Sequence, residues 1–382
     1  MSDPPAPLLK DILGPQAVTV IADAGAAASA DFDHTAFSDA ALAGLDRLSI
    51  MERVRHIADA LHTALPPDYM TALPIVRAMG PRLTHGFQAI AVTEFVARHG
   101  LGHVDLSMAA LADLTRFGSA EFAIRPFLAQ DDDRTLAQMR RWTRDDDPHV
   151  RRLASEGSRP RLPWATRVPG LKDDPTRAAP ILDALKSDPS PYVRKSVANH
   201  LNDISKDRPD WLLDHVSAWP TGDPHTAWII RHGLRTLIKQ GDPRALALVG
   251  ARQDVAVRVD QFTVTPPIVH LGEPIAIMVA LSSLAPVGQR LVVDYRVHYA
   301  RGQGKTAAKV FKLKTFDLAA SASAAFGIRQ VIRDFSTRRH HPGRHAVELL
   351  VNGQTMAHAA FELVVPPPNN NTRHLCNVGV IR

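Results

Sequence analysis

Cysteine is almost absent from this chain of 382 residues; Cys376 is the single one. One thiol excludes an internal disulfide framework and fits a reducing cytosol. Long apolar runs are missing too. No stretch of about 18 apolar residues occurs, so no membrane-spanning helix is expected. The N-terminal MSDPPAPLLKDILGP has no basic segment leading into an apolar core, so no secretory leader is expected. Familiar catalytic signatures are also lacking. There is no G-x-S-x-G elbow, and the eighteen histidines show no zinc spacing, His340-His341 included. Gly304-Lys305-Thr306 imitates the end of a phosphate-binding loop, but position 299 is Tyr where that motif has Gly. Asn370-Asn371-Thr372 matches a glycosylation sequon without a secretory context. Neither a metal nor a cofactor is expected.

What is present is ordinary in bulk and uneven in distribution. A hydrophobic content of 45% with 22% charged residues suits a globular protein, and the length allows two or three domains. The net charge is +6. Residues 258–366 carry thirteen Lys/Arg against seven Asp/Glu, and the tail adds two arginines, which leaves the first 257 residues at −2. The positive excess sits in the C-terminal third and favours anionic partners.

Along the chain the periodicity changes once. Residues 1–40 are rich in Ala and Asp, and a short helix is expected near Leu8–Leu13. Ser49 and Glu52 have capping-box spacing, and Val54, Ile57, Ala58 and Leu61 follow on one helical face. Helical patterns continue to about Gly250. Within them, Pro148-His-Val-Arg-Arg152 matches Pro191-Tyr-Val-Arg-Lys195, and Ile230-Arg231-His232 falls in phase with Val193-Arg194-Lys195. Each match opens the second helix of a pair, at 135–145 with 149–157, 178–187 with 191–206, and 209–219 with 225–240. Helix pairs repeating every 37–47 residues are the HEAT/armadillo pattern, in which units stack to share a core. In the helix from Pro191, Val193, Val197, Leu201 and Ile204 form the core stripe. Lys195 and Asn199 lie opposite it, and Asp203 lies on the flank. Arg152 with Glu156, and His232 with Thr236 and Gln240, take the same positions in the neighbouring repeats. One concave surface is therefore expected to carry all three rows.

After about Ala251 the period becomes two. Leu291, Val293, Tyr295, Val297 and Tyr299 alternate with Val292, Asp294, Arg296 and His298, a half-buried strand. Further strands are expected at 255–264, 274–282, 307–316, 325–333, 344–351 and 354–363, with Asn352-Gly353 as a hairpin turn. Seven short strands suggest an immunoglobulin-like sandwich. The expected organisation is a multidomain chain: an α-helical HEAT-like repeat solenoid over residues 1–252, an all-β immunoglobulin-like sandwich over 253–366, and a disordered tail over 367–382.

Three features are candidates for chemistry. The stretch DPHVRRLASEGSRPRLPW from Asp147 to Trp164 starts as a helix with Val150 and Ala154 buried, and places Arg152 and Glu156 together on the exposed side. Eight arginines between 140 and 167 either grip successive phosphates or form a solvated face balanced by Asp145–Asp147. Glu121, Glu156 and Asp203 either surround a developing cation or hold a water, or else make local pairs, as Arg152 with Glu156. Trp164 is either a packing anchor or a platform for a ligand; Trp142, Trp211, Trp219 and Trp228 are read as core.

These residues bring in a family. LKDIL near the start, RVRHIADAL at 53–61, SAEFAIRPFL at 119–128, DPHVRRLASEGSRPRLPWA at 147–165 and SPYVRKSVANHLNDISKDRP at 190–209 resemble the AlkC/AlkD family of HEAT-like repeat DNA alkylation-repair glycosylases. The similarity runs over about residues 8–250. The basic β-rich region resembles the immunoglobulin-like domain of one AlkC subgroup. The resemblance implies a monofunctional bacterial glycosylase of the cytosol and nucleoid, a monomer without metal or cofactor, acting on duplex DNA that contains alkylated bases. It implies 3-methyladenine and 3-methylcytosine as lesions, removed without base flipping. Glu121, Glu156 and Asp203 would be the active-site acids, Trp164 would pack on the lesion deoxyribose, and Arg152 would hold the backbone or gap at the lesion. Arg151, Arg159, Arg161, Arg194, Lys195 and His232 complete the expected DNA-binding set. The Lys305–Lys314 and Arg338–Arg344 clusters are expected to close on the DNA from the other side.

Overall fold

The computed structural model describes residues 8–301, 305–335 and 339–366. The expected tail at 367–382, with Cys376 and the Asn370 sequon, lies outside the described residues, as do Gly304 and Arg338. Backbone contacts divide the chain into two compact units, one ending at Leu234 and the other beginning at Arg235. No helix among the described residues is long and apolar enough to cross a membrane.

The first unit is helical throughout. A 3-10 turn at Leu9–Leu13 matches the short helix expected there. The Ala-rich segment beyond it, which gave no clear pattern, forms α1 (Pro15–Ala28) and α2 (His34–Leu42). Then come α3 (Ile50–Ala64), α4 (Tyr69–Met79), α5 (Gly86–His99), α6 (Val104–Leu114), α7 (Arg125–Gln130) and α8 (Asp132–Trp142). The start of α3 is the expected capping box, with Glu52 accepting from the Ser49 backbone N–H at 2.8 Å. Val54, Ile57, Ala58 and Leu61 are all buried.

The repeat region continues as α9 (Pro148–Gly157), α10 (Pro169–Asp173), α11 (Ala179–Leu185), α12 (Pro191–Ile204), α13 (Pro209–Ser217) and α14 (Pro224–Gly233). Proline at the first position fixes φ where no N–H partner is needed. A capping side chain precedes three of the repeat helices: Asp131 accepts from Arg134 N at 3.0 Å before α8, Asp147 from His149 N at 2.8 Å and Asp223 from Thr226 N at 2.7 Å. The second helices of successive pairs lie side by side, α9 on α12 and α12 on α14. Val150, Ala154, Val193, Val197, Leu201 and Ile204 are buried along this layer, as their spacing required. The repeated arginine of the motif has a structural task. Arg151 Nη1 donates to the carbonyls of Asp145 and Asp146, both at 2.9 Å, and Arg194 Nη1 donates to those of Asp188 and Pro189 at 2.9 and 2.7 Å. Each folds back over the loop that opens its own helix.

In the second unit two short helices, α15 (Arg235–Gln240) and α16 (Pro243–Leu248), precede eight strands. These are β1 (Val257–Thr265), β2 (Ile268–His270), β3 (Pro274–Ser283), β4 (Gln289–Ala300), β5 (Thr306–Leu318), β6 (Ser323–Val331), β7 (Gly343–Val351) and β8 (Gln354–Val364). Seven match the expected strands. The eighth, β2, has three residues, too few to show a period, and pairs in parallel with β8. The sheets run β1-β3-β6 and β2-β8-β7-β4-β5, and the sandwich closes over Ile275, Ile277, Tyr295, Val297, Val347 and Phe361. Asn352 and Gly353 have φ of 46° and 82°, the backbone of a tight hairpin turn between β7 and β8. The alternation in β4 is interrupted: Val292 and Asp294 are buried as well as their neighbours, at a register shift between Val293 and Asp294. Burial pushes the Asp294 carboxyl up to about 6, against the pull of Lys239 and Lys312. The lysine-rich stretch expected to meet DNA is an edge strand, β5. Lys309, Lys312 and Lys314 there also do what edge lysines do in general, which is to oppose pairing with a further strand.

Candidate active site

The site is assembled from three segments of the first unit. Glu121 lies in the turn between α6 and α7, not on a helix, and is fixed by its buried neighbours Ala120, Ala123 and Ile124. Arg152 and Glu156 come from α9, Arg159 from the loop two residues beyond it, and Ser196 and Asp203 from α12.

Their side chains form one chain of ion pairs. Arg152 Nη1 donates to Ser119 Oγ at 2.7 Å and to Glu121 Oε2 at 2.5 Å. Arg152 Nη2 lies 3.6 Å from Glu156 Oε1. Arg159 Nη1 donates to the same Glu156 oxygen at 2.5 Å, and Arg159 Nε to Asp203 Oδ2 at 2.8 Å. Ser196 Oγ donates to Glu156 Oε2 at 2.6 Å, and Lys206 Nζ lies 3.5 Å from Asp203 Oδ1. Three carboxylates thus share two guanidinium groups, with a lysine at the rim. The flat face of Arg152 is covered by the Tyr192 ring, whose centroid is 5.1 Å from Cζ.

Burial corrects the expected exposed Arg152/Glu156 face. Glu121, Glu156 and Asp203 are only 9%, 5% and 3% exposed, and the stronger partner of Glu156 is Arg159, not the Arg152 one helical turn away. The electrostatics of the two glutamates differ. Burial pushes the Glu121 carboxyl above its ordinary range, and Arg152 offsets this incompletely. Glu156 is buried as well, but Arg152, Arg159 and the Ser196 hydroxyl together outweigh burial and hold it below the ordinary range. Glu156 is therefore firmly ionised at neutral pH, whereas Glu121 depends on Arg152 for its charge.

Beyond the acids, a third arginine, fully buried, holds the loop. Arg125 donates through Nη1 to the carbonyls of Gly157 and Arg159 at 2.9 and 2.8 Å, and through Nε to that of Thr166 at 2.8 Å. Burial, reinforced by Arg159, lowers its pKa to about 10. Between those anchors Trp164 stands with φ of 64°, a strained backbone for a bulky side chain, and is 59% exposed. That exposure removes the packing-anchor reading. Trp142 and Trp219 are buried as expected, but Trp211 and Trp228 are only half-buried, stacked on His215 and His232 at 4.7 and 4.9 Å between ring centroids.

The other arginines of the expected DNA-binding set are engaged with the protein. Arg151 makes a two-point contact with Asp188 at 2.7 and 3.1 Å, apart from the three acids. Arg161 grips Asp207 in the same way at 2.7 and 2.6 Å. Arg194 lies over the Trp228 ring at 6.0 Å, Lys195 is exposed, and His232 is half-buried. Arg125, Ser119, Ser196 and Tyr192 belong to the site although no motif singled them out. Ser196 left a trace in the sequence. It occupies the repeat position held by Leu153 in α9, so a hydroxyl replaces a core leucine.

These features define a class: a helical-repeat protein with a buried carboxylate–guanidinium network and an outward tryptophan on the loop after α9, followed by a β-sandwich. Residues 113–237, which contain the whole network, match the family model described as DNA alkylation repair enzyme. Residues 258–365 match the model of the C-terminal Ig-like domain of the uncharacterised protein YhaZ. The chain is 35% identical over 356 residues to the uncharacterized protein YhaZ of Bacillus subtilis (strain 168), covering 93% of this chain and 99% of that one. It is 50% identical to Pseudomonas fluorescens AlkC, an alkylpurine DNA glycosylase solved bound to DNA containing an abasic site analog. That match has a TM-score of 0.90 and covers 94% of this chain and 100% of the other. The chain belongs to the AlkC/AlkD family of HEAT-like repeat DNA alkylation-repair glycosylases, in the AlkC branch with a C-terminal immunoglobulin-like domain.

Proposed function

We propose that this protein is a monofunctional DNA glycosylase of the bacterial cytosol, acting as a monomer. Its substrates are small cationic alkylated bases, 3-methyladenine and 3-methylcytosine, in duplex DNA, and it works without flipping the base. The observation that carries this reading is the gathering of three buried carboxylates, Glu121, Glu156 and Asp203, around Arg152 and Arg159. In a low-dielectric setting, ionised carboxylates act strongly on a nearby cation.

The chemistry asks for little more. A cationic methylated base is already a good leaving group, so breaking the C1′–N bond returns the electron pair to the base without a strong general acid. The barrier lies in the positive sugar. Glu121 and Glu156 stabilise it electrostatically, and the exposed Trp164 face packs on the deoxyribose and contributes through its π-electrons. Asp203, anchored through Oδ2 by Arg159, directs its other oxygen toward the attacking water, which adds to C1′ and loses its proton. Arg152 holds the backbone or gap at the lesion, and exposed Lys195 supports the DNA. Incubation with methylated duplex DNA tests the reading: free 3-methyladenine is expected in solution and abasic sites in the DNA. DNA binding without release would make the chain a non-catalytic binder of damaged DNA instead.

A further inference from the structure

The loop arginine Arg159 looks from the sequence like one of several phosphate ligands, and its position in the fold argues otherwise. We infer that Arg159 is a positioning residue of the active site, a clamp that fixes Glu156 and Asp203 relative to one another, and that it does not grip DNA phosphate. This rests on the glycosylase reading and deepens it.

Two donors of Arg159 are committed to carboxylates from different helices, Nη1 to Glu156 at 2.5 Å and Nε to Asp203 at 2.8 Å. The side chain is 11% exposed, and to reach a phosphate it would have to abandon both partners. The backbone of the residue is fixed as well, because Arg125 Nη1 donates to the Arg159 carbonyl at 2.8 Å. Asp203 and Arg159 are 44 residues apart in sequence, so the clamp also ties one repeat to the next. Neighbouring charges do not replace it. Arg152 is shared between Glu121 and Glu156, and Arg125 is turned to backbone carbonyls. His200 on α12 is held neutral by burial, Lys206 reaches Asp203 Oδ1 only from the rim, and Arg161 and Lys172 are paired with Asp207. Removing Arg159 leaves Asp203 with the rim lysine and Glu156 with one distant guanidinium, so burial raises the Glu156 carboxyl.

The test uses the full chain with Arg159→Met and Arg159→Lys. Single-turnover base release is measured against pH, and DNA affinity against salt. For Arg159→Met the acid limb of the rate profile is expected to move up by about one to three pH units, while the slope of log affinity against log salt stays that of wild type. Arg159→Lys restores a charge and is expected to return the limb toward wild type. An unmoved acid limb with a salt slope smaller by about one would make Arg159 a phosphate ligand and overturn the proposal. If Arg159→Met does not fold, Arg159→Gln takes its place in the same two measurements. If wild type releases no base, the glycosylase reading falls by itself. The clamp is then read from the carboxyl carbon NMR titration of Glu156, expected to rise in Arg159→Met; an unchanged titration would refute it.

Discussion

Glu121 and Arg152, 31 residues apart in sequence, meet at 2.5 Å, both side chains largely buried in the first unit. The pair couples the turn before α7 to the face of α9. It also explains how a carboxyl that burial pushes upward still carries charge, because the guanidinium beside it offsets much of the desolvation. Glu121→Gln keeps the shape and removes the charge. Base release is expected to fall by about a hundredfold, the usual scale for one preorganised electrostatic group. DNA affinity should stay within a few-fold of wild type. Single-turnover kinetics beside a binding titration check this.

Arg125 holds the loop on both sides of Trp164. Arg125→Met leaves three carbonyls without their donor and frees the strained backbone at Trp164. A loss of about 3 kcal/mol is expected, in line with removing one partner from a buried charged network. Urea unfolding gives the stability, and tryptophan fluorescence anisotropy reports the loosened loop. Wild-type values of both would show that the loop is held by other contacts.

His200 predicts a pH dependence of stability. Its Nδ1 is 3.0 Å from the Ser155 carbonyl oxygen, and burial lowers its pKa from 6.5 to about 3. The unfolded chain binds a proton below pH 6.5 that the folded chain refuses until about pH 3. Stability is therefore complete above 6.5 and falls as the pH drops through that window, by up to about 1.4 kcal/mol per unit from this group. Between pH 6.5 and 5, where Asp294 titrates in both proteins alike, His200→Gln is expected to flatten the fall in the urea midpoint. An unchanged slope would assign it to other groups.

The hairpin of the second unit offers a separate check. Gly353 has φ of 82°, and a Cβ there would sit 2.3 Å from Gly241 Cα. Gly353→Ala combines backbone strain with a clash against backbone. A loss of about 2 kcal/mol or more in the second unit is expected, measured by calorimetry of the full chain.

Much of this molecule was legible in residue order, and the remainder has physical reasons. Val193, Val197, Leu201 and Ile204 lie on one face because helical period alone puts them there. Ser49 and Glu52 announced the start of α3 because a capping box is local. The burial of Glu156 was not local. It needed Arg159 folding back from the loop and Ser196 arriving from α12, contacts that no period reports. For the same reason Arg151 and Arg194 read from the sequence as DNA ligands, although each secures the loop before its own helix. The positive φ of Trp164 is imposed by its loop, which Arg125 holds from a segment about 40 residues earlier. In the first 40 residues small alanines bury without a strong apolar contrast, so α1 and α2 left little pattern.

The central claim is that the buried acids break a glycosidic bond, and Asp203 tests it most directly. Methylated duplex DNA is incubated with the full chain and with Asp203→Asn, and free base and DNA affinity are measured together. The account predicts release of 3-methyladenine by wild type, and a severe loss of release with nearly unchanged affinity in Asp203→Asn. Equal release by the two proteins, or an equal fall in affinity, would contradict it.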